Sequence, residues 1–249
     1  MNISLVLTAA GNSTRMKTSI KKEFMPIEQD ETVLAASALA FLRYFQNHTE
    51  HRLQSCVVTL PKKQIYQGMT SFFNEKTLDA CIALKLSPEF IIGGKTRQES
   101  VYKGLLKLSQ YATKPDIVLI HDAARPFVDE KIIHDIITKT ITHGAAVPVI
   151  ASVDTQKKLD TEKQCIAEHL ERETIVSVQT PQGFSYKTIF EAHKKAEQSN
   201  KDYTDDSEIF SDYTNKAVFV VNGNNKNIKI TYQSDIPGNL ENRDSVQHD

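Results

Sequence analysis

The chain has 249 residues, of which 40% are apolar, 24% charged and 8% aromatic, the profile of a folded globular protein rather than a disordered, collagen-like or membrane-spanning one. Thirty Lys plus Arg against thirty-one Asp plus Glu leave a formal charge of -1, without the broad positive field of a nucleic-acid or membrane-surface binder. Three cysteines, Cys56, Cys81 and Cys165, are too few and too scattered for a disulfide framework or a zinc cluster, so a reducing cytoplasm is the expected location.

Residues Ile3 to Ala10 open the chain with an apolar run that no Lys or Arg precedes, and it reads as a buried first strand rather than a secretion signal. Further β-branched runs follow at Cys56 to Leu60, Phe90 to Ile92, Ile117 to Ile120, Ala146 to Ile150 and Val218 to Val221. Between them, Thr32 to Phe45, Lys62 to Asn74, Arg97 to Leu108, Glu130 to Thr142 and Tyr186 to Glu197 carry apolar residues at helical spacing. No run approaches the roughly 18 apolar residues that span a bilayer. The alternation predicts an α/β fold, a mostly parallel, doubly wound, Rossmann-like sheet, forming one domain over residues 1–249. In such sheets ligands bind beyond the carboxyl ends of the strands, which directs attention to the loops there.

Ser152 to Gln179 breaks the rhythm: it is rich in Asp, Glu and Lys and too poor in apolar residues to bury a core of its own. Asp160 to Gln164 reads as the turn of a hairpin, so residues 152–179 are expected to project as a β-arm that clasps a second copy of the chain. The competing reading is a solvated insertion that binds nothing. The tail after Asp235 reads as poorly ordered.

Four stretches can carry chemistry. Ala9-Ala10-Gly11, followed by Arg15-Met16, is a loop of small residues whose N–H groups can approach a phosphate, although it matches neither the three-glycine dinucleotide fingerprint nor the phosphate loop ending in G-K-[ST]. Lys21-Lys22 can fold back over it, or be plain solvated surface. Gly93-Gly94 precedes a helix and lets backbone approach a base or sugar, with Ser100 directing a hydroxyl inward, or it is simply a helix-entry loop. Asp122, at the end of the Ile117 to Ile120 strand, is placed to hold a hydrated divalent cation. The adjacent His121 reads as a packed, hydrogen-bonded side chain rather than a general base.

Taken in order, Ala9-Ala10-Gly11 with Arg15-Met16, Gly93-Gly94 with Arg97 and Ser100-Val101, His121-Asp122-Ala123-Ala124-Arg125-Pro126, Asp154-Thr155, Thr180-Pro181-Gln182, Thr204-Asp205-Asp206 and Asn227-Ile228-Lys229-Ile230-Thr231 span residues 5 to 235. Together they resemble the 2-C-methyl-D-erythritol 4-phosphate cytidylyltransferase family. The resemblance implies CTP and methylerythritol phosphate as reactants, Mg²⁺ as cofactor, and a CDP-alcohol and pyrophosphate as products, in non-mevalonate isoprenoid biosynthesis. It places Ala9, Ala10 and Gly11 around the CTP phosphates and base, Gly94 and Ser100 on the cytosine and ribose, and Arg15, Lys22 and Lys229 as the catalytic cations. Asp122 would sit beside Mg²⁺ and nucleotide, and Arg125, Thr155, Thr180 and Thr204 would line the alcohol-phosphate pocket. Arg172, on the arm, would reach into a partner's site in a homodimer.

Three departures from the family pattern stand out: Ser13 for a usual glycine, Glu23 for a usual glutamine, and Lys95 at a position often acidic. Asp235 to Asn239, containing Pro237 and Gly238, interrupts what is normally a closing helix. In Thr204 to Glu208, a capping box with Asp205 as N-cap and Glu208 at N3 leaves Thr204 as the ligand candidate. Two other readings remain at this stage: a cytidylyltransferase for ribitol 5-phosphate or another polyol phosphate, and a non-catalytic nucleotide-binding protein on the same scaffold.

Overall fold

The structure is a computed structural model, and it describes residues 1–11, 16, 20–199 and 201–236. The expected Arg15 and Ser13, and the stretch from Pro237 onward, lie outside the described residues. The elements run β1 Asn2–Thr8, β2 Pro26–Glu28, β3 Glu31–Thr32, α1 Val33–Asn47, β4 Arg52–Leu60, α2 Ile65–Phe72 and α3 Glu75–Ala83, followed by β5 Glu89–Ile92, α4 Arg97–Leu108 and β6 Ile117–Asp122. The second half comprises α5 Glu130–His143, β7 Ala145–Ala151, β8 Lys157–Asp160, β9 Cys165–His169, β10 Val176–Val178, β11 Gln182–Ser185, α6 Tyr186–Glu197, α7 Asp206–Thr214 and β12 Phe219–Asn222.

An eight-stranded sheet forms the frame. β1 lies between β4 and β6, parallel to both, and β5 extends the parallel set beyond β4. β11 inserts antiparallel between β6 and β7, and β10 runs antiparallel along the next stretch of β7. β12 pairs parallel with Ala146 to Val149 of β7. Because β12 shares Ala146 with β11 and Val149 with β10, it must lie on the opposite side of β7 from both. The sheet is thus mostly parallel with two reversed strands, as the alternation implied.

Helices cover both faces. α1, α2, α3 and α5 bury Phe41, Leu42, Phe72, Cys81, Ile133 and Ile137 against one face, where Leu5, Leu7, Val58 and Leu119 point. On the other face α4, α6 and α7 bury Val101, Leu105, Ile189 and Phe210 against Val6, Val57, Val118 and Ile120. Alternate residues of β1 and β6 therefore serve opposite cores, which is why these strands read as continuous apolar runs. All six residues of β6 are buried.

Local chemistry explains the boundaries. Thr32 caps α1 by accepting from the Ala35 N–H at 3.1 Å, and Gly144 ends α5 in the left-handed region at φ 87°, where a side chain is disfavoured. The expected helix Lys62 to Asn74 is a 3₁₀ turn at Lys62–Gln64 followed by α2. It stops at Phe72 because Asn74 begins α3, its side chain and that of Thr77 exchanging hydrogen bonds with each other's backbone N–H. Asp205 does cap α7, but it accepts from Ser207 N rather than Glu208 N. Near the C-terminus a 3₁₀ turn, Gln233–Asp235, closes the described chain.

The arm forms as a β8–β9 hairpin around a turn at residues 161–164, with Gln164 at φ 51°, and its strands pair only with each other. Its far boundary is shorter than expected: Val176 to Val178 return to the main sheet as β10, and Gln179 is buried. Val153, Leu159 and Ile166 are exposed along the arm. The cysteines are free, with Cys56 and Cys81 buried. Among the described residues no helix is long and apolar enough to cross a membrane.

Candidate active site

The loops after β1, β5 and β6 meet at the carboxyl edge of the sheet, tied by backbone hydrogen bonds from Ala9 N to Thr59 O, Gly93 N to Leu60 O and Ala123 N to Thr8 O. A cleft opens between them. Thr8, Ala10 and Gly11 line one wall, Gly94 to Arg97 with Ser100 another, and Lys22, Glu23, Asp122, Ala124, Lys229 and Thr231 the rest. The glycine pair is a packing requirement: a Cβ on Gly93 would lie 2.3 Å from the Ala10 Cβ, and one on Gly94 2.3 Å from the Glu99 Cβ.

Asp122 is the centre. Its Oδ1 accepts from Arg97 Nε at 3.1 Å and from Thr8 Oγ1 at 3.2 Å, and its Oδ2 accepts from Lys229 Nζ at 2.6 Å. Burial alone would raise the carboxyl pKa, but the charges of Arg97 and Lys229 hold it well below the usual carboxylate range, so it is ionised at neutral pH. Arg97 also forms a 2.7 Å ion pair with Asp206 Oδ2, and Asp206 Oδ1 lies 3.1 Å from His193 Nε2. Burial would likewise raise the Asp206 pKa, and Arg97 lowers it.

Lys229 sits on a segment with no regular secondary structure, and side chains place it. The Asn227 amide donates to Thr180 O at 2.9 Å, Asn227 O accepts from Arg125 at 2.7 Å, and Gln179 Nε2 donates to Asn224 O at 2.9 Å. One residue beyond Lys229, Ile230 N donates to Ala124 O and Ile230 O accepts from Lys22 Nζ at 2.7 Å. Lys22 is buried, and burial, opposed by the charge of Glu23 and reinforced by the like charge of Lys229, lowers its pKa. Lys21 folds back onto the first loop, donating to Gly11 O, and pairs with Glu23 at 3.0 Å. The Glu23 departure therefore supplies a buried partner for the neighbouring cation.

His121 is a structural relay. Asp122 N donates to Thr180 Oγ1 at 3.1 Å, so the Thr180 hydroxyl proton is free for His121 Nδ1 at 3.0 Å. His121 Nε2–H then donates to Arg125 O at 3.0 Å, which defines the neutral Nε2–H tautomer. Burial accordingly depresses its pKa to about 4. Because the unfolded chain takes up this proton near pH 6.5 and the folded one does not, stability falls as pH drops from about 6.5 to about 4, by on the order of 3 kcal/mol. Replacing His121 with Asn is expected to flatten the urea-midpoint profile over that window, while the loss at lower pH, belonging to Asp122 and Asp206, persists; an unchanged slope between pH 6.5 and 4 would refute the assignment.

The expected site residues divide into two groups. Ala10, Gly11, Lys22, Gly94, Ser100, Asp122 and Lys229 line the one cleft. Ala9 does not: it is fully buried and its N–H is spent on Thr59. The Ser100 hydroxyl, expected to point at a ligand, instead accepts from Gly94 N at 2.9 Å and donates to Thr96 O at 2.8 Å, holding the glycine loop. Arg125 and Thr180 are turned into the scaffold just described. Thr155, Arg172 and Thr204 are exposed and lie outside the lining of the cleft, with Arg172 bonded locally to Val153 O at 3.3 Å.

Arg97 and Asp206 carry no assigned role in the sequence reading. A legible signal existed for Asp206, which shares a helical face with Ile209 and Phe210, both buried. A carboxylate on the apolar face of a helix requires a buried partner.

A carboxylate held ionised between Arg97 and Lys229, in a cleft at the carboxyl edge of a doubly wound sheet, stands where α/β proteins of this architecture bind their ligands, and the cations suit an anionic one. Comparison with known proteins makes this specific. The profile of IspD, 2-C-methyl-D-erythritol 4-phosphate cytidylyltransferase, matches residues 3–238. A protein of that name from Clostridium novyi is 35% identical over 232 residues, covering 93% of this chain and 92% of its own. Among solved structures, 4-diphosphocytidyl-2C-methyl-D-erythritol synthase from Anaerococcus prevotii superposes with a TM-score of 0.74 at 25% identity over 96% of both chains. The 2-C-methyl-D-erythritol 4-phosphate cytidylyltransferase of Thermus thermophilus does so with a TM-score of 0.67 at 28% identity, over 95% of this chain and 96% of that one. The chain belongs to the 2-C-methyl-D-erythritol 4-phosphate cytidylyltransferase family of nucleotidyltransferases.

Proposed function

We propose that this chain transfers CMP from CTP to 2-C-methyl-D-erythritol 4-phosphate, and that the cleft around Asp122 is where it does so. The observation that carries this reading is the convergence of Arg97 and Lys229 on one ionised carboxylate, with Lys22 lining the same cleft beside the small-residue loops Ala10-Gly11 and Gly94. A phosphate oxygen of the alcohol attacks the α-phosphorus of CTP, the bond to the β-phosphate oxygen breaks, and pyrophosphate departs. No general base is needed, because the attacking phosphate, with a second pKa of about 6, is already ionised at neutral pH. The work left to the protein is positioning and charge neutralisation. Lys22, whose ammonium is destabilised by burial and by Lys229, gains most from a polyanion arriving beside it.

The residues present fit Mg²⁺: Asp122 is held ionised, each of its oxygens can accept more than one bond, and this ion takes one or two carboxylates with the rest of its shell from phosphate and water. Bound there, it would neutralise developing charge on the phosphates. Asp122 would hold it while Lys229 and Arg97 fix the carboxylate's orientation.

Arg172 and Thr155, exposed at the two ends of the β8–β9 hairpin, with Val153, Leu159 and Ile166 also exposed along the arm, suit an arm that completes a partner's alcohol-phosphate pocket in a homodimer. In this reading the whole chain, residues 1–249, is one catalytic domain with the arm as its dimerisation element, and its free buried thiols Cys56 and Cys81 suit a reducing cytoplasm. Arg172→Ala is expected to raise the KM for methylerythritol phosphate several-fold while leaving that for CTP within twofold; equal KM values in a confirmed dimer would remove the arm from the site. The function itself is tested by incubating the protein with Mg²⁺, each of the four NTPs, and either methylerythritol phosphate or ribitol 5-phosphate. Pyrophosphate release only with CTP and methylerythritol phosphate is expected, and preference for ribitol 5-phosphate would overturn the substrate assignment.

A further inference from the structure

Apart from the cleft, the end of α1 and the first turns of α5 bring together two histidines and two glutamates. His48 follows directly on α1, Glu50 lies two residues beyond, and Glu130 and His134 stand one turn apart on α5. One possible ligand atom from each of His48, Glu50 and His134 lies within 4.8 Å of the others. Each imidazole is already held by one nitrogen. His48 stacks on Tyr44 with ring centroids 4.4 Å apart and sets its Nε2 2.5 Å from Glu130 Oε1, leaving Nδ1 on the side of Glu50, 3.5 Å from Oε1. His134 sets Nδ1 3.2 Å from the Tyr44 hydroxyl, leaving Nε2 unengaged by that contact.

A metal-bound histidine commonly has its second nitrogen hydrogen-bonded to a carboxylate or another polar group, which fixes the tautomer and the ring orientation. Here Glu130 and Tyr44 already occupy those outer positions. Two imidazole nitrogens and one carboxylate oxygen suit Zn²⁺ and its first-row neighbours, whereas Mg²⁺ prefers an all-oxygen shell. Tetrahedral Zn²⁺ ligands stand roughly 3.3 Å apart, so ligand atoms that lie within 4.8 Å of one another need close by at most about 1.5 Å, within reach of side chains that are exposed or half-exposed. The geometry points to a second metal site, specific for a first-row divalent transition ion such as Zn²⁺, formed by His48 Nδ1, the Glu50 carboxylate and His134 Nε2, with Glu130 and Tyr44 orienting the two rings. Such an ion would clip the end of α1 to α5 and would have no part in the transfer reaction.

The test uses chelator-treated full-length protein in excess Mg²⁺, which occupies oxygen-ligand sites, titrated with ZnCl₂ by calorimetry and with CoCl₂ by visible absorption. One Zn²⁺ per chain, a raised melting temperature and a Co²⁺ ligand-field band are expected. The double variant His48→Ala/His134→Ala should lose the band and bind Zn²⁺ at least 100-fold more weakly, and Tyr44→Phe should weaken binding by about 10-fold. Glu50→Gln, a single exposed change, repeats the test should the double variant fold poorly, and far-UV circular dichroism reports folding in each case. Absence of stoichiometric Zn²⁺ binding by the parent protein, or equal binding by parent and variants, would overturn the site.

Discussion

Lys229→Ala is expected to lower kcat by on the order of 10²-fold or more while leaving the fold intact, the usual loss when one charge contact to a transition state is removed. Two features separate catalysis from stability here. The Lys229 side chain is 37% exposed, and the segment carrying it is held by others: Asn227 to Thr180 and Arg125, and Ile230 to Ala124. Asp122 also retains Arg97 and Thr8 after the substitution. The urea midpoint should therefore move by less than the equivalent of about 1 kcal/mol, as for a partly solvated ion pair. Steady-state kinetics with both substrates varied gives the answer. Turnover within threefold of the parent enzyme would exclude Lys229 from the transition state, and a collapse in stability would mean that its pairing with Asp122 is structural.

Arg97→Ala should have the opposite signature, a stability loss of about 3–5 kcal/mol, because removing one member of a buried ion-pair network leaves its partners uncompensated. Arg97 bridges Asp122 and Asp206, whose side chains are 9% and 0% exposed, and no other cation pairs with Asp206 among the described residues except His193 if protonated. The guanidinium spans the pair with two different nitrogens, so Arg97→Lys, a point charge, should recover only part of the loss. Arg97→Ala combined with Asp206→Asn should recover more, since it removes the stranded charge. Equilibrium urea unfolding with a shared m-value measures all three. A loss below about 1 kcal/mol for Arg97→Ala would show that water or rearrangement replaces the bridge.

The two predictions differ because their residues face different surroundings, and that difference was only partly legible in the chain. The apolar run Ile117 to Ile120 ending in Asp122 announces a central strand with a carboxylate at its carboxyl end, and β6 is that strand. The boundaries of α4 and α6 agree with their periodicity to the residue. β11 is not legible in the sequence, since Gln182 to Ser185 is four residues long with one large apolar side chain, and only its neighbours β6 and β7 make it a strand. α3 is hidden in the sequence because Phe72 and Phe73 continue the apolar pattern into Asn74, where the cap between Asn74 and Thr77 starts a new helix.

In the site, types were readable and orientations were not. Arg125 and Lys229 are both cations in stretches that the family resemblance singles out, yet one is turned into the scaffold toward Asn227 O and the other opens onto the cleft. Ser100 and Thr180 carry hydroxyls of the right kind, spent on Gly94 N and on the His121 relay.

The amino-acid order alone determined the alternation of strand and helix, the projecting polar arm, the small-residue loops after the first and third parallel strands, and the family to which these belong, because all of these are carried by residue type and short-range spacing. Tertiary structure decided which charges meet. That Arg97 bridges carboxylates 25 and 109 positions away, and that Lys229 reaches Asp122 across 107, follows from the crossover connections and the hydrogen bonds of Asn227 and Ile230. Electrostatic pairing at 3 Å depends on position in space, to which separation along the chain is no guide.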